Sequence, residues 1–332
     1  MFSLRCASVS KCLFVKHLNN NAKRLYISRK RGQRFTCSMV CVILCSIGLS
    51  EAFLNLNAGG ILEKGGDEMK IGFIGCGNMA TAMINGILES GSVGQEEIMA
   101  SGKTPATQKK IVEKLGVLCG SSNTEVAEFA DILFLAVKPQ YYGEVIAEIK
   151  DTIREDEIVV TIAPGKTLEW LEEQFGRKIR IIRTMPNTPA MVKEGMMALC
   201  RNEQVTEEEA ELVCRLCGSF AKTEWVPEHL MDVVTSVSGS SPAYVYLFIE
   251  AMADAAVADG MPRAQAYKFA AQAVLGSAKM VLETGKHPGE LKDAVCSPGG
   301  TTIEAVRVLE EKGFRSAVIE AMKACTKKSR GM

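Results

Sequence analysis

The chain has 332 residues, 47% hydrophobic and 23% charged, which suits two ordinary globular domains better than a single core. Lys+Arg and Asp+Glu each number 39, so the net charge is near zero and favours neither nucleic acid nor an anionic membrane as a partner. The 12 cysteines show no framework spacing and the three histidines are far apart, which argues against a disulfide scaffold, offers no metal-ligand set and fits a reducing, cytoplasmic setting.

The first segment differs from the rest. Residues 1–36 are basic and contain no acid. The apolar run Met39–Leu49 that follows is too short to span a bilayer. A signal peptide or a presequence would account for it. A misplaced start accounts for it better. The segment Lys64-Gly65-Gly66-Asp67-Glu68 allows a back-translation that holds a bacterial ribosome-binding sequence just before the codon of Met69. Residues 1–68 are therefore expected to be foreign to the folded protein.

From Met69 the pattern becomes regular. Lys70–Ile74 is a short apolar run suited to a buried parallel strand. Gly75-Cys76-Gly77-Asn78-Met79-Ala80 follows as GxGxxA, and Met79, Met83 and Ile87 then recur at helical spacing up to Gly91. Strand, glycine turn and helix in this order point to a dinucleotide site. Gly75 permits the tight turn, Gly77 lets the backbone approach a pyrophosphate, and Ala80 lets helix and strand pack closely. The next strand, Glu97–Ala100, leads not to the Asp or Glu usual for NAD but to Ser101-Gly102-Lys103-Thr104. Hydroxyls and a cation suit a 2′-phosphate, so NADPH is favoured and NADH allowed; Lys103 as a solvated loop charge is the alternative.

Further apolar runs at Asp131–Val137, Glu157–Ala163 and Lys178–Ile182 each end in a loop containing Pro, Gly, Asn or Lys. They predict an α/β doubly wound sheet with ligand bound at the strands' carboxyl ends. Thr206-Glu207-Glu208-Glu209 reads as a capping box. Cys214 and Cys217 form one CxxC on the helix that follows, read as small buried thiols. After about Glu228 the strand pattern stops. Helices are predicted from Pro242 to Gly260, Pro262 to Thr284, Pro288 to Cys296, Thr302 to Lys312, and from Phe314 onward. They are apolar and rich in alanine, so they need burial on more than one side, which points to an intersubunit bundle. The expected division is 69–227 for the Rossmann domain and 228–332 for an all-α dimerisation domain.

With these segments assembled, the chain from Met69 onward resembles the pyrroline-5-carboxylate reductases. The matching segments are Gly72–Ala80, Ala136-Val137-Lys138-Pro139, Met185–Pro189, Ser238–Tyr244, Asp259–Arg263 and His287–Asp293, and above all Ser297-Pro298-Gly299-Gly300-Thr301-Thr302. Ser241 and Thr301 stand where that family often has Gly and Ala. The resemblance implies an oxidoreductase of proline biosynthesis, a homodimer or larger homo-oligomer that reduces a cyclic imine bearing a carboxylate. It implies that cofactor lies along Ile74, Gly75, Cys76, Gly77, Asn78 and Met79, with Ser101 near the 2′-phosphate. Asn123 and Ala136–Pro139 are implied on the ribose and nicotinamide side. Thr302 is implied as the catalytic hydroxyl, with Ser297, Gly300, Thr301, Glu228 and Asp293 around the substrate. The alternatives are Thr302 as a helix cap and Glu228 and Asp293 as first-turn and surface acids. For the whole chain they are a hydroxyacid dehydrogenase or a non-catalytic NADP-binding protein.

Overall fold

The structure, a computed structural model, describes residues 69–331 together with the two-residue strands Phe14–Val15, Ile27–Ser28, Glu63–Lys64 and Asp67–Glu68. The chain divides into two compact units, Met1–Ala58 and Gly59–Met332. In the first unit the description is confined to an antiparallel ladder in which Phe14 faces Ser28 and Val15 faces Ile27. The expectation about the origin of residues 1–68 lies outside the described residues.

In the second unit strand and helix alternate as β1 (Ile71–Ile74), α1 (Asn78–Ser90), β2 (Ile98–Ser101), α2 (Pro105–Lys110), β3 (Leu118–Cys119) and α3 (Asn123–Phe129). They continue as β4 (Ile132–Leu135), α4 (Tyr142–Ile149), β5 (Ile158–Thr161), α5 (Leu168–Phe175) and β6 (Arg180–Met185). Then come β7 (Gly195–Arg201), α6 (Glu207–Cys217) and β8 (Ala221–Trp225). The sheet order is β8-β7-β6-β5-β4-β1-β2-β3. Every neighbouring pair is parallel except β6 with β7. The strand order reverses at β1, flanked by β2 and β4, and that is where an open α/β sheet leaves a crevice for ligand.

The continuous apolar runs are explained by burial on both faces. Alternate residues of a strand point to opposite sides. Ile71, Phe73, Ile132, Phe134, Ile158 and Val160 join one core with α1 and α6. Ile74, Leu133, Leu135 and Val159 join the other with α3, α4 and α5. Phe73 and Phe134 stack with ring centroids 4.7 Å apart. Hydroxyls cap the helices: Thr104, Ser122, Thr167 and Thr206 accept backbone N–H bonds at the starts of α2, α3, α5 and α6. The predicted capping box at Thr206 and Glu209 forms in both directions. Gly91 ends α1 in the left-handed region, φ 70°.

Three strands depart from the sequence reading. β3 has two residues and its Leu118 is exposed. β7 is built from Met, Ala, Leu and Cys, which are not strand formers, and is held extended by pairing with β6 on one side and β8 on the other. β8, Ala-Lys-Thr-Glu-Trp, is a half-polar edge strand. In addition β6 runs to Met185, later than the predicted Ile182.

Beyond β8 the chain is helical. A turn at Glu228–Leu230, α7 (Met231–Val234) and a π-turn at Thr235–Gly239 lead into α8 (Ser241–Ala258). α9 (Arg263–Thr284), α10 (Pro288–Ala294), α11 (Thr301–Glu311) and α12 (Phe314–Arg330) follow. α8 and α9 run against one another with Ala253, Ala266 and Ala270 buried. Among the described residues no helix is long and apolar enough to cross a membrane.

One buried acid gives the fold a pH dependence. Glu157, immediately before β5, is fully buried; one carboxylate oxygen accepts from the Arg154 N–H at 3.2 Å and the other has no partner. Burial pushes this carboxyl up to about 7 from an ordinary value of 4.5. Its protonated form is favoured in the folded state. The associated stability is fully present below about pH 4.5 and is lost as pH rises through 7, by about 3 kcal/mol at most. Glu157→Gln is expected to flatten the melting temperature between pH 5 and 8 relative to the parent and to raise it at pH 8. Parallel curves would show that the carboxyl is ionised and solvated instead.

Candidate active site

The loop between β1 and α1 sits at the sheet's switch point. Gly75 holds φ +90°, and a Cβ there would lie 2.8 Å from the Val137 side chain and 3.0 Å from the Ala136 carbonyl oxygen. Gly77 is the N-cap of α1 in an extended conformation, and a Cβ added to it would meet nothing within 4 Å. α1 has neither a side-chain cap nor an acid in its first turn. Its leading N–H groups and its dipole are therefore open to an anion.

Around this loop lies a cleft of about 800 Å³, walled by the ends of β1, β2 and β4 and by the start of α3. It gathers most of the cofactor residues expected from the sequence: Gly75, Cys76, Gly77, Ser101, Lys103, Asn123, Ala136, Val137 and Lys138. Ile74, Asn78, Met79 and Pro139 do not line it. The Ile74 side chain packs in the core, and its carbonyl accepts from the Ala136 N–H at 2.8 Å. Thr107, Gln108, Tyr141, Glu144 and Glu148 line the cleft as well and went unrecognised in the sequence. Helical spacing on α4 would have found Glu144 and Glu148 together, since residues four apart share a face.

The polar groups of the cleft are connected. Ser101 is buried; its Oγ donates to Asn123 Oδ1 at 2.8 Å and receives the Gly75 N–H at 3.4 Å. Asn123 Nδ2 donates to Glu148 Oε2 at 2.6 Å. Lys103 Nζ stands 5.5 Å from the centre of the Tyr141 ring. Cys76 lies beside Thr81, and burial raises its thiol above the ordinary value. Thiolate chemistry is disfavoured there.

The expected substrate residues lie in the helical half and do not line the cleft. Ser297-Pro298-Gly299-Gly300 is a tight turn in which the Gly300 N–H donates to the Ser297 carbonyl at 3.0 Å, with Gly299 at φ +66°. Gly300 is then the N-cap of α11, again with no side-chain cap. Thr302 is the second residue of that helix and is exposed. The cap position belongs to Gly300, so the alternative of Thr302 as a cap is set aside. Asp293, near the end of α10, is exposed and paired with Lys292. Glu228 has a structural task. Its Oε1 accepts from Arg183 Nη1 at 2.9 Å and from the Leu168 N–H at 2.7 Å, which ties β6 and the start of α5 to the first turn of the helical half. Arg183 is buried, so this pairing offsets a costly desolvated charge. Next to the pair, Cys200 is pushed up to about 12, chiefly by burial.

Comparison with known proteins agrees with this layout. A family model described as pyrroline-5-carboxylate reductase dimerisation matches residues 228–332, and one described as NADP oxidoreductase coenzyme F420-dependent matches residues 70–165. The pyrroline-5-carboxylate reductase of Escherichia coli is 55% identical over 262 residues, 79% of this chain and 97% of that protein. The enzyme of Arabidopsis thaliana is 41% identical over 270 residues, 81% of this chain and 98% of that protein. The crystal structure of Plasmodium falciparum pyrroline carboxylate reductase with NADP bound superposes with a TM-score of 0.74 at 32% identity, covering 82% of this chain and 99% of that one. The chain belongs to the pyrroline-5-carboxylate reductase family.

Proposed function

We infer that the chain is an oxidoreductase acting on a CH–NH group, which reduces the C=N bond of 1-pyrroline-5-carboxylate to L-proline with NADPH. The observation that supports this best is the glycine-capped start of α1, opening with no side chain or acid in its way onto the cleft at the switch point. Family membership supplies the reaction and sets aside the hydroxyacid dehydrogenase alternative.

In this reading the first-turn N–H groups of α1 and the Gly75–Gly77 backbone hold the cofactor's pyrophosphate. Ser101 and Lys103 face the adenosine 2′-phosphate, and Asn123 and Ala136–Pro139 line the remaining length. The bound cofactor supplies a hydride. The free N–H groups at the start of α11, behind the Ser297–Gly300 turn, take the substrate carboxylate. An imine accepts hydride more readily when its nitrogen is protonated or hydrogen-bonded, and the Thr302 hydroxyl is assigned to that nitrogen. Glu228 and Asp293 complete the substrate side, Glu228 by holding the junction through Arg183. Much of the rate then comes from positioning and fixed dipoles.

The domain boundary is placed at Glu228, and the helical half is assigned to self-association in a homodimer or larger assembly in the cytoplasm. Leu247 is 68% exposed and Phe269 62%, and Tyr246, Leu275, Val308 and Ile319 are exposed as well. Large apolar side chains left uncovered in a single chain support an interface there.

The direct test is oxidation of NADPH by the purified protein in the presence of 1-pyrroline-5-carboxylate, with proline as product. Gly77→Asp is expected to abolish cofactor binding while the fold survives, because a carboxylate would occupy the open space above Gly77 and repel the pyrophosphate; unchanged affinity in the folded variant would refute the cleft. Thr302→Ala is expected to lower turnover roughly 10²-fold, as loss of one preorganised donor does at comparable sites, with little change in melting temperature since its hydroxyl caps nothing. Near-normal turnover would move the imine site away from α11. Sedimentation should show a dimer or larger species at assay concentration, and an active monomer would contradict the assignment of the helical half.

A further inference from the structure

We propose that Glu148 is a positioning residue for cofactor selection: acting through Asn123, it fixes the direction of the Ser101 O–H bond and so sets how well the cleft tells a 2′-phosphate from a 2′-hydroxyl. The proposal rests on the reading of this cleft as a nicotinamide dinucleotide site.

The argument is one of donors and acceptors. An ionised carboxylate only accepts hydrogen bonds. The 2.6 Å contact from Asn123 to Glu148 must therefore use the amide NH₂, and Oδ1 is left to face Ser101. An amide oxygen also only accepts. Ser101 must then give its single hydroxyl hydrogen to Asn123, at 2.8 Å. The same Oγ already receives the Gly75 N–H from the glycine turn. What Ser101 still offers toward the cleft is a lone pair.

A ribose 2′-hydroxyl can donate to that lone pair. A 2′-phosphate cannot, because its oxygens are acceptors. To serve a phosphate, Ser101 has to turn its hydrogen away from Asn123, which leaves Oδ1 without a donor. The amide cannot compensate by flipping, since Oδ1 would then face the Glu148 carboxylate. Glu148 thus works against the phosphate through two bonds as well as through its charge. Lys103 works in the opposite sense as the cation beside Ser101. Selection between the two cofactors is the balance of Lys103 against the Glu148–Asn123–Ser101 chain.

Glu148 is exposed on α4, so its removal should not disturb the core. The experiment measures dissociation constants of NADPH and NADH with the purified full chain by titration calorimetry. Glu148→Ala is expected to tighten NADPH roughly 3- to 10-fold, the worth of one released hydrogen bond, and to change NADH by less than about twofold. Glu144→Ala removes the same charge one turn earlier on the same cleft wall, without a bond to Asn123, and is expected to give a clearly smaller gain. In an Asn123→Ala background the added Glu148→Ala change should have little effect, because the chain is already cut. Equal shifts from Glu144→Ala and Glu148→Ala, or full additivity with Asn123→Ala, would overturn the proposal and leave a simple charge effect. Gly77→Asp is the separate control: loss of both cofactors there upholds the cleft whatever Glu148 does, whereas retained binding removes the cleft reading and this proposal with it.

Discussion

The free N–H groups at the start of a helix need an acceptor, and α1 and α11 are among the described helices that present theirs without a side-chain cap. α2, α3, α5 and α6 each satisfy one such group with a Ser or Thr hydroxyl. α1 and α11 begin instead at Gly77 and Gly300, with no side-chain cap. Their donors are left for an external anion, and the ends that carry them are stripped of Cβ atoms that would keep it away. The rest of the structure can be understood as what holds these two ends in place. The sheet buries β1 on both faces, so the Gly75–Gly77 turn starts from a fixed strand end. The Pro298–Gly299 turn sets the angle at which the chain enters α11.

The connection between the two halves depends on hydrogen-bonded polar groups. Glu228 joins Arg183 of β6 to the first N–H of α5. Asn187, in the loop after β6, donates to the Ser238 carbonyl at 3.0 Å and accepts from the Met196 N–H at 2.9 Å. α12 returns over the same segment, with Thr326 on Ser236 and Ser329 on Asp232. A π-turn lies in the middle of this region at Thr235–Gly239. Polar contacts of this kind are directional, so they define one orientation of the helical half where apolar packing alone would allow sliding. The helical half is otherwise poor in internal burial. Its long helices keep large apolar side chains on the surface of a single chain, which is the physical reason for assigning that surface to self-association.

Much of the fold was legible in the sequence because its signals are local. β1, β4 and β5 announce themselves as continuous apolar runs, Gly75 and Gly77 as the turn, Thr206 and Glu209 as a cap, and Gly91, Gly260 and Gly313 as helix ends. β7 and β8 were not legible. Met196–Cys200 has no strand propensity of its own, and Lys222 and Glu224 make β8 look like a surface segment; β7 is a strand because β6 offers an edge, and β8 because β7 then does.

The candidate site divides along the same line. The sequence by itself determined the strand–glycine–helix order, the hydroxyl and cation at the carboxyl end of β2, and the turn before α11, since each depends on neighbours within a few residues. Only the tertiary structure decided that Glu148, 25 residues beyond Asn123, would fix that amide and through it the Ser101 hydroxyl. Only the tertiary structure, likewise, committed Glu228 to Arg183 rather than leaving it a free first-turn acid. A hydrogen-bond partner is chosen by which atoms the folded sheet brings within about 3 Å, and no spacing along the chain carries that distance.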